Sequence, residues 1–145
     1  MNDFRFELID TTKYNSSLLE VTKVAGKDGK IFGNTSMYTW LGDTVWVLKK
    51  QNEIVGFIQY RILKRKPIVS LHRIGVKSEY RRLGLGSKLF QKMLDHCRQS
   101  KVEKVRLKCP KDCSANLFYK QLGFTLVETT KSRAGRDLNV WEKEI

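Results

Sequence analysis

Gly84 and Gly86 separate an extended apolar run, Ile68 to Val76, from an amphipathic helical pattern running from Ser87 to about Ser100. A glycine-rich turn from a strand into a helix gathers backbone N–H groups at a helix N-terminus, where they hold an anion. Without a Cβ at either glycine, a phosphate can approach the backbone closely; a side chain at either would occupy the anion's space. The full stretch is Arg81-Arg82-Leu83-Gly84-Leu85-Gly86, spaced R-x-x-G-x-G. That is neither the G-x-x-x-x-G-K-[ST] loop nor the dinucleotide fingerprint G-x-G-x-x-G. On these residues alone, a phosphate loop and a plain strand-to-helix turn both remain open.

The rest of the chain supplies the context. Phe4, Phe6 and Leu8 alternate with charged residues, the period of a half-buried strand. Asn15 to Val24 reads as a helix with Gly26 as its stop. Lys27 to Gly42 reads as a long loop with a short helix near Met37–Leu41, and a loop of this length is more often functional than idle. Thr44 to Lys50, Glu53 to Leu63 and Ile68 to Val76 form an antiparallel meander, with Gly56 as a bulge and Pro67 ending a basic turn. In the helix after the glycines, Leu89, Phe90, Met93, Leu94 and Cys97 share one face. A strand at Glu103–Cys109 follows, then a helix capped by Ser114 and ended by Gly123, and strands at Phe124–Thr130 and Asp137–Lys143. The order is β-α-loop-β-β-β-α-β-α-β-β, with no internal repeat and no domain linker, so residues 1–145 read as one domain.

Charge narrows the partners. With 28 Lys and Arg against 15 Asp and Glu, the formal net charge is +13, which favours an anionic partner. Coenzyme A, acidic proteins and nucleic acid all qualify. No run of about 18 apolar residues exists, so no membrane span is expected. The first residues lack a basic stretch followed by an apolar one, so no signal peptide is expected. Three cysteines, an odd number, suit a reducing cytoplasm.

Arg-x-x-Gly-x-Gly after a strand ending Ile74-Gly75-Val76 resembles the acyl-CoA loop of the GCN5-related N-acetyltransferases, the GNAT superfamily. A second segment, Ala115-Asn116-Leu117-Phe118-Tyr119-Lys120-Gln121-Leu122-Gly123-Phe124, is similar to that family's A-x-x-x-Y-x-x-x-G-F. Both motifs fall in the family's order, and the resemblance covers Thr44 to Thr130. It implies an α/β fold: a mixed, mostly antiparallel central sheet flanked by helices and splayed between the fourth and fifth strands for acyl-CoA. Arg81, Arg82, Leu83, Gly84, Leu85, Gly86 and Ser87 would then hold the pyrophosphate of acetyl-CoA, chiefly through backbone N–H groups. Ile74 and Val76 would pair with the pantetheine arm as an extra strand. Tyr119 would protonate the departing thiolate, a role open to a phenol; its bland alternative is packing with Ala115 and Leu122. Many members carry Asn seven residues before that tyrosine, where this chain has Asp112, and Asn116 is the substitute candidate for the pantetheine contact.

An attacking amine must lose a proton, so a base is needed. Glu53, Glu79, Asp112 and His72 are the candidates. In strict alternation His72 shares a face with Ile74 and Val76, opposite Leu71 and Arg73, and would face the cleft as base; a structural histidine is the competing reading. Cys109-Pro110-Lys111-Asp112-Cys113 suggests zinc, but the only histidines are His72 and His96 and there is no second cysteine pair, so no metal is expected. Trp40, Trp46, Tyr38 and Tyr60 read mostly as core, while the long loop that carries Tyr38 and Trp40 forms part of the acceptor wall in this family. The function implied is acetyl transfer from acetyl-CoA to an amine on a small molecule or protein, by a cytoplasmic monomer or homodimer. The net charge admits a nucleic-acid-linked acceptor and also a rival from another class: a nucleic-acid-binding protein on a GNAT scaffold, with acetyl-CoA as a structural ligand. If the acceptor is anionic, the basic turns Lys64–Lys66 and Arg133–Arg136 are its expected contacts; the competing reading is that they are solvated turns that keep the protein soluble.

Overall fold

The computed structural model describes residues 3–27 and 40–145. Its elements are β1 (Phe4–Leu8), α1 (Ser16–Lys27), β2 (Thr44–Lys50), β3 (Glu53–Ile62), β4 (Ile68–Val76), α2 (Leu85–Gln99), β5 (Lys104–Pro110), α3 (Ala115–Gln121), β6 (Thr125–Lys131) and β7 (Asp137–Glu144). A single 3-10 turn, Ser78–Tyr80, lies between β4 and α2. The element order agrees with the sequence reading. The expected helix near Met37–Leu41 falls largely on residues 28–39, which lie outside the described residues, as does Tyr38.

Seven strands form one sheet in the order β1-β2-β3-β4-β5-β7-β6. All neighbours are antiparallel except β4 and β5, which run parallel. That parallel pairing lasts only from Ile68–Ser70 against Lys104–Arg106. Beyond it the two strands splay, as the sequence reading expected of the fourth and fifth strands.

Alternation along β2 assigns the two faces. Val45 and Val47 pack with Leu18, Val21, Val24 and Ala25 of α1, while Leu48 joins Leu89, Phe90, Met93, Leu94 and Cys97 of α2. The apolar stripe read from the sequence of α2 is thus the buried face of that helix. Burying each of these leucine- or phenylalanine-sized side chains contributes roughly 1.5–3 kcal/mol.

Two bulges break the alternation, and both matter. Leu48 pairs with Gly56 and Lys49 with Ile54, which leaves Val55 as the extra residue beside Gly56. Ile54 and Phe57 therefore face α1, while Val55 and Ile58 face α2. In β4, Leu71 pairs with Tyr60 and Arg73 with Gln59, so His72 is the extra residue. This overturns the face assigned to His72 by simple alternation. Val69, Leu71 and Ile74 share the α2 core, and His72 is turned out of it.

Other local expectations also need correction. α1 does not stop at Gly26 but runs through Lys27. It starts at Ser16, and Asn15, read as its first residue, caps it: Asn15 Oδ1 accepts from Leu18 N at 2.9 Å. Ser114 precedes α3 but makes no side-chain cap bond, because its own backbone is already helical (φ −63°, ψ −22°). Leu8 ends β1 exposed, not half-buried. Trp40 is fully buried against Phe57, which agrees with the expectation that it is a core residue.

Candidate active site

The glycine stretch makes a double turn. Arg82 and Gly84 both take left-handed backbone angles, φ +66° and +73°, the second at the N-cap of α2. Arg81 Nε donates to Val76 O at 3.2 Å and ties the turn to the end of β4. The helical ladder of α2 begins with Lys88 N donating to Gly84 O. The N–H groups of Leu85, Gly86 and Ser87 precede that ladder and lie at the positive end of the helix dipole.

These groups open on a cleft. Its walls include Ile74 and Val76 of β4, Arg81, Arg82, Gly84, Leu85, Gly86 and Ser87 of the turn, and Tyr119 of α3. The structure so brings together nearly all of the cofactor residues expected from the sequence. On one edge, Ile74, Gly75 and Val76 pair with Ile58, Phe57 and Gly56 of β3. Their other edge faces the splay, where β5 has parted from β4. An extended chain laid there would find strand-type backbone groups on β4.

The fit for acetyl-CoA can be tested on the backbone itself. A Cβ built on Gly84 would meet no atom within 4 Å, so the space ahead of the helix N-terminus is open. At Gly86 a Cβ would meet the Phe118 ring at 3.2 Å, so here the missing side chain also lets α3 close against α2. An anion-binding turn, a strand edge and an apolar wall in series suit a pyrophosphate joined to a pantetheine arm.

Tyr119 lines the same cleft. Its ring packs between Phe118 and Phe124, with centroids 5.6 and 5.8 Å away. It is 7% exposed, and none of the described residues hydrogen-bonds its hydroxyl. That oxygen is not sealed in the core, so it opens on the cleft. Burial, and behind it the neighbouring Cys109 and Cys113, push the phenol above its ordinary pKa. It carries its proton through the neutral range. Burial, then Cys113, pushes the Cys109 thiol up to about 12, so Cys109 is not a thiolate nucleophile near neutrality.

Three expected site residues fall outside the cleft lining. Leu83 is 56% exposed at the outer side of the turn. Asn116 is outside the lining, and its amide is taken up by structure. Its Nδ2 donates to the carbonyls of Pro110, Lys111 and Cys113, and its Oδ1 accepts from Asn139 Nδ2 and Trp141 Nε1. His72 lies instead in a groove between β4 and β5, with Ser70, Leu71, Arg106, Leu107 and Lys108. It stands two residues from Ile74, roughly 7 Å along the strand.

The sequence reading missed Tyr80, Ser114 and Phe118, which also line the cleft, and Asp43, to which His72 is bonded. Tyr80 and Phe118 adjoin residues already singled out. For Asp43 the available signal was Gln59, a polar residue between Ile58 and Tyr60 in an apolar strand. Gln59 is 1% exposed and Asp43 is its partner, Gln59 Nε2 donating to Asp43 Oδ2 at 2.7 Å. Among the described residues no group of three or more His, Cys, Asp or Glu could hold a metal ion. Among them, too, no helix is long and apolar enough to cross a membrane.

The model of the Acetyltransferase (GNAT) family matches residues 17–124. A search of the curated proteins finds no match. Among solved structures, Ard1 from Thermoplasma volcanium superposes with TM-score 0.82 at 18% identity, covering 99% of each chain. The ribosomal-protein-S18-alanine N-acetyltransferase from Escherichia coli gives 0.78 at 18% identity, covering 98% of this chain and 94% of its own. The PaiA N-acetyltransferase from Thermoplasma acidophilum, solved with coenzyme A, gives 0.72 at 17% identity, covering 97% of this chain and 99% of its own.

Proposed function

The chain belongs to the GNAT acetyltransferase family, and from that premise we propose that it transfers acetyl from acetyl-CoA directly to an amine. One observation carries the reading. The open N-terminus of α2, the free edge of β4 and the protonated Tyr119 phenol line a single cleft. The thioester supplies an activated acyl group. The turn from Arg81 to Ser87 binds the pyrophosphate, and Ile74 and Val76 align the pantetheine. Tyr119 gives its proton to the departing thiolate. His72, in the groove where β4 and β5 part, takes the proton of the amine.

All 145 residues form one acetyltransferase domain in this reading. Three free cysteines agree with work in the cytoplasm. The acceptor is an amine on a small molecule or protein. The test is a screen of primary amines, amino acids, peptides and amine-bearing RNA that follows free thiol released from acetyl-CoA. Amine-dependent release supports the reading. Cofactor binding without release on any amine would leave acetyl-CoA as a structural ligand and refute it.

A further inference from the structure

Asp43 begins the approach to β2 and is held from every side. With 3% of its side chain exposed, its Oδ2 accepts from His72 Nδ1 at 2.8 Å and from Gln59 Nε2 at 2.7 Å. Its Oδ1 accepts from Arg61 Nε at 2.6 Å. Its backbone is pinned as well: Thr11 Oγ1 donates to Asp43 O, and Asp43 N donates to Trp40 O. Gln59 Oε1 accepts from Arg73 Nε, the Arg73 guanidinium lies 4.2 Å over the Trp40 ring, and the Trp40 indole donates to Thr22 of α1. Burial pushes the Asp43 carboxyl up, but the bonds from His72, Gln59 and Arg61 outweigh it and hold it below its ordinary pKa. The opposite edge of the imidazole is open. The His72 side chain is 37% exposed and lines the groove where β4 and β5 part.

We infer that Asp43 is a positioning residue for acetyl transfer: it holds a proton on His72 Nδ1 and so presents a bare Nε2 to the acceptor amine. The inference rests on His72 acting as the base of the proposed reaction. An ionised carboxylate only accepts, so the 2.8 Å contact requires Nδ1 to donate. A neutral ring then has its lone pair on Nε2, on the groove side. In the reaction the amine nitrogen forms its bond to the acyl carbon and its proton passes to Nε2. The C–S bond breaks with its electron pair on sulfur, which takes the Tyr119 proton, and the His72 proton returns to Tyr119 through solvent. The ring charges next to several cations. Arg61 on β3 is bonded to Asp43, Arg73 on β4 to Gln59, and Arg106 and Lys108 on β5 share the groove. All four oppose the imidazolium, and the Asp43 carboxylate in contact with it is the counter-charge.

The tautomer is read on the intact protein by long-range proton–nitrogen correlation of the imidazoles, with His72→Gln assigning the two signals. We expect the His72 proton on Nδ1 near neutral pH, and loss of that preference in Asp43→Asn. A wild-type proton on Nε2 overturns the inference, and this result does not depend on how Asp43→Asn folds. The kinetic arm uses acetyl-CoA and the amine found by the screen. Asp43→Asn should lower kcat roughly 100-fold and leave the acetyl-CoA Kd unchanged. In a His72→Gln background it should add at most about twofold. Full kcat in Asp43→Asn beside a slow His72→Gln overturns the inference and spares the base. Full kcat in His72→Gln overturns both. A screen with no active amine removes the reaction and the inference with it.

Discussion

Gly84→Val separates strain in the fold from loss of the phosphate site. Gly84 lies at φ +73°, and a Cβ added there meets nothing within 4 Å, so a side chain starts into open space. It would stand in the space ahead of the Leu85, Gly86 and Ser87 N–H groups. The backbone cost is that of an L residue held left-handed, roughly 1–2 kcal/mol, or about 3–7 °C in Tm for a domain of this size. The ligand cost is larger. Each charge-assisted bond from a backbone N–H to a phosphate oxygen contributes roughly 1.5–3 kcal/mol. Losing two, at the low end, removes about 3 kcal/mol, roughly a 150-fold rise in Kd. Gly135 supplies the control, since it has φ +82° and no neighbour within 4 Å of an added Cβ, but sits in the turn between β6 and β7. Thermal unfolding should show similar losses for Gly84→Val and Gly135→Val. Calorimetric titration with acetyl-CoA should show a weakened Kd for Gly84→Val only. Wild-type affinity in Gly84→Val, within about threefold, would refute the phosphate loop. Gly86→Val does not offer the same separation. Its Cβ would press on Phe118, so packing and binding would change together.

Tyr119→Phe should keep acetyl-CoA affinity and lower kcat roughly 100-fold, because only the phenolic proton is removed; equal turnover would make Tyr119 a packing residue. Asn116→Ala should destabilise the protein by about 2–4 kcal/mol in urea unfolding, since it strands the Trp141 indole and frees the β5–α3 turn. Its acetyl-CoA Kd should stay at the wild-type value, and a weakened Kd in the folded variant would restore Asn116 to the cofactor site. The structure also redirects the charge argument. Lys64, Arg65 and Lys66 lie in the exposed turn before β4, and the six residue-to-residue steps from Lys66 to His72 span roughly 20 Å, about two Debye lengths at 0.1 M salt. Arg136 of the other basic turn pairs with Asp112 at 3.2 Å. For an anionic acceptor, Lys108→Ser should raise KM about threefold, while Lys64, Arg65 and Lys66 changed together to Ser should leave it nearly unchanged. A KM indifferent to Lys108→Ser would point to a neutral or cationic amine.

Much of this protein was legible in its sequence, because the signals concerned are local. The glycine turn, the α2 stripe from Leu89 to Cys97 and the β2 alternation each depend on neighbours a few residues away. Backbone periodicity sets them whatever the rest of the chain does. The same holds for the order of the elements, and the two motifs in that order were enough to indicate the family. What the sequence could not show depends on register between distant strands. Alternation put His72 beside Ile74, but pairing against β3 makes it a bulge residue and turns it onto Asp43. Asn116 looked like a ligand until the fold brought Trp141 and Asn139 to its oxygen. Asp43 itself carried no local mark. A lone carboxylate before a strand becomes a buried anchor only when residues 59, 61 and 72 arrive from two other strands. Local sequence determined which elements form and where the cofactor turn lies. Tertiary pairing decided which polar groups meet, because a one-residue shift in register reverses the face of every side chain beyond it.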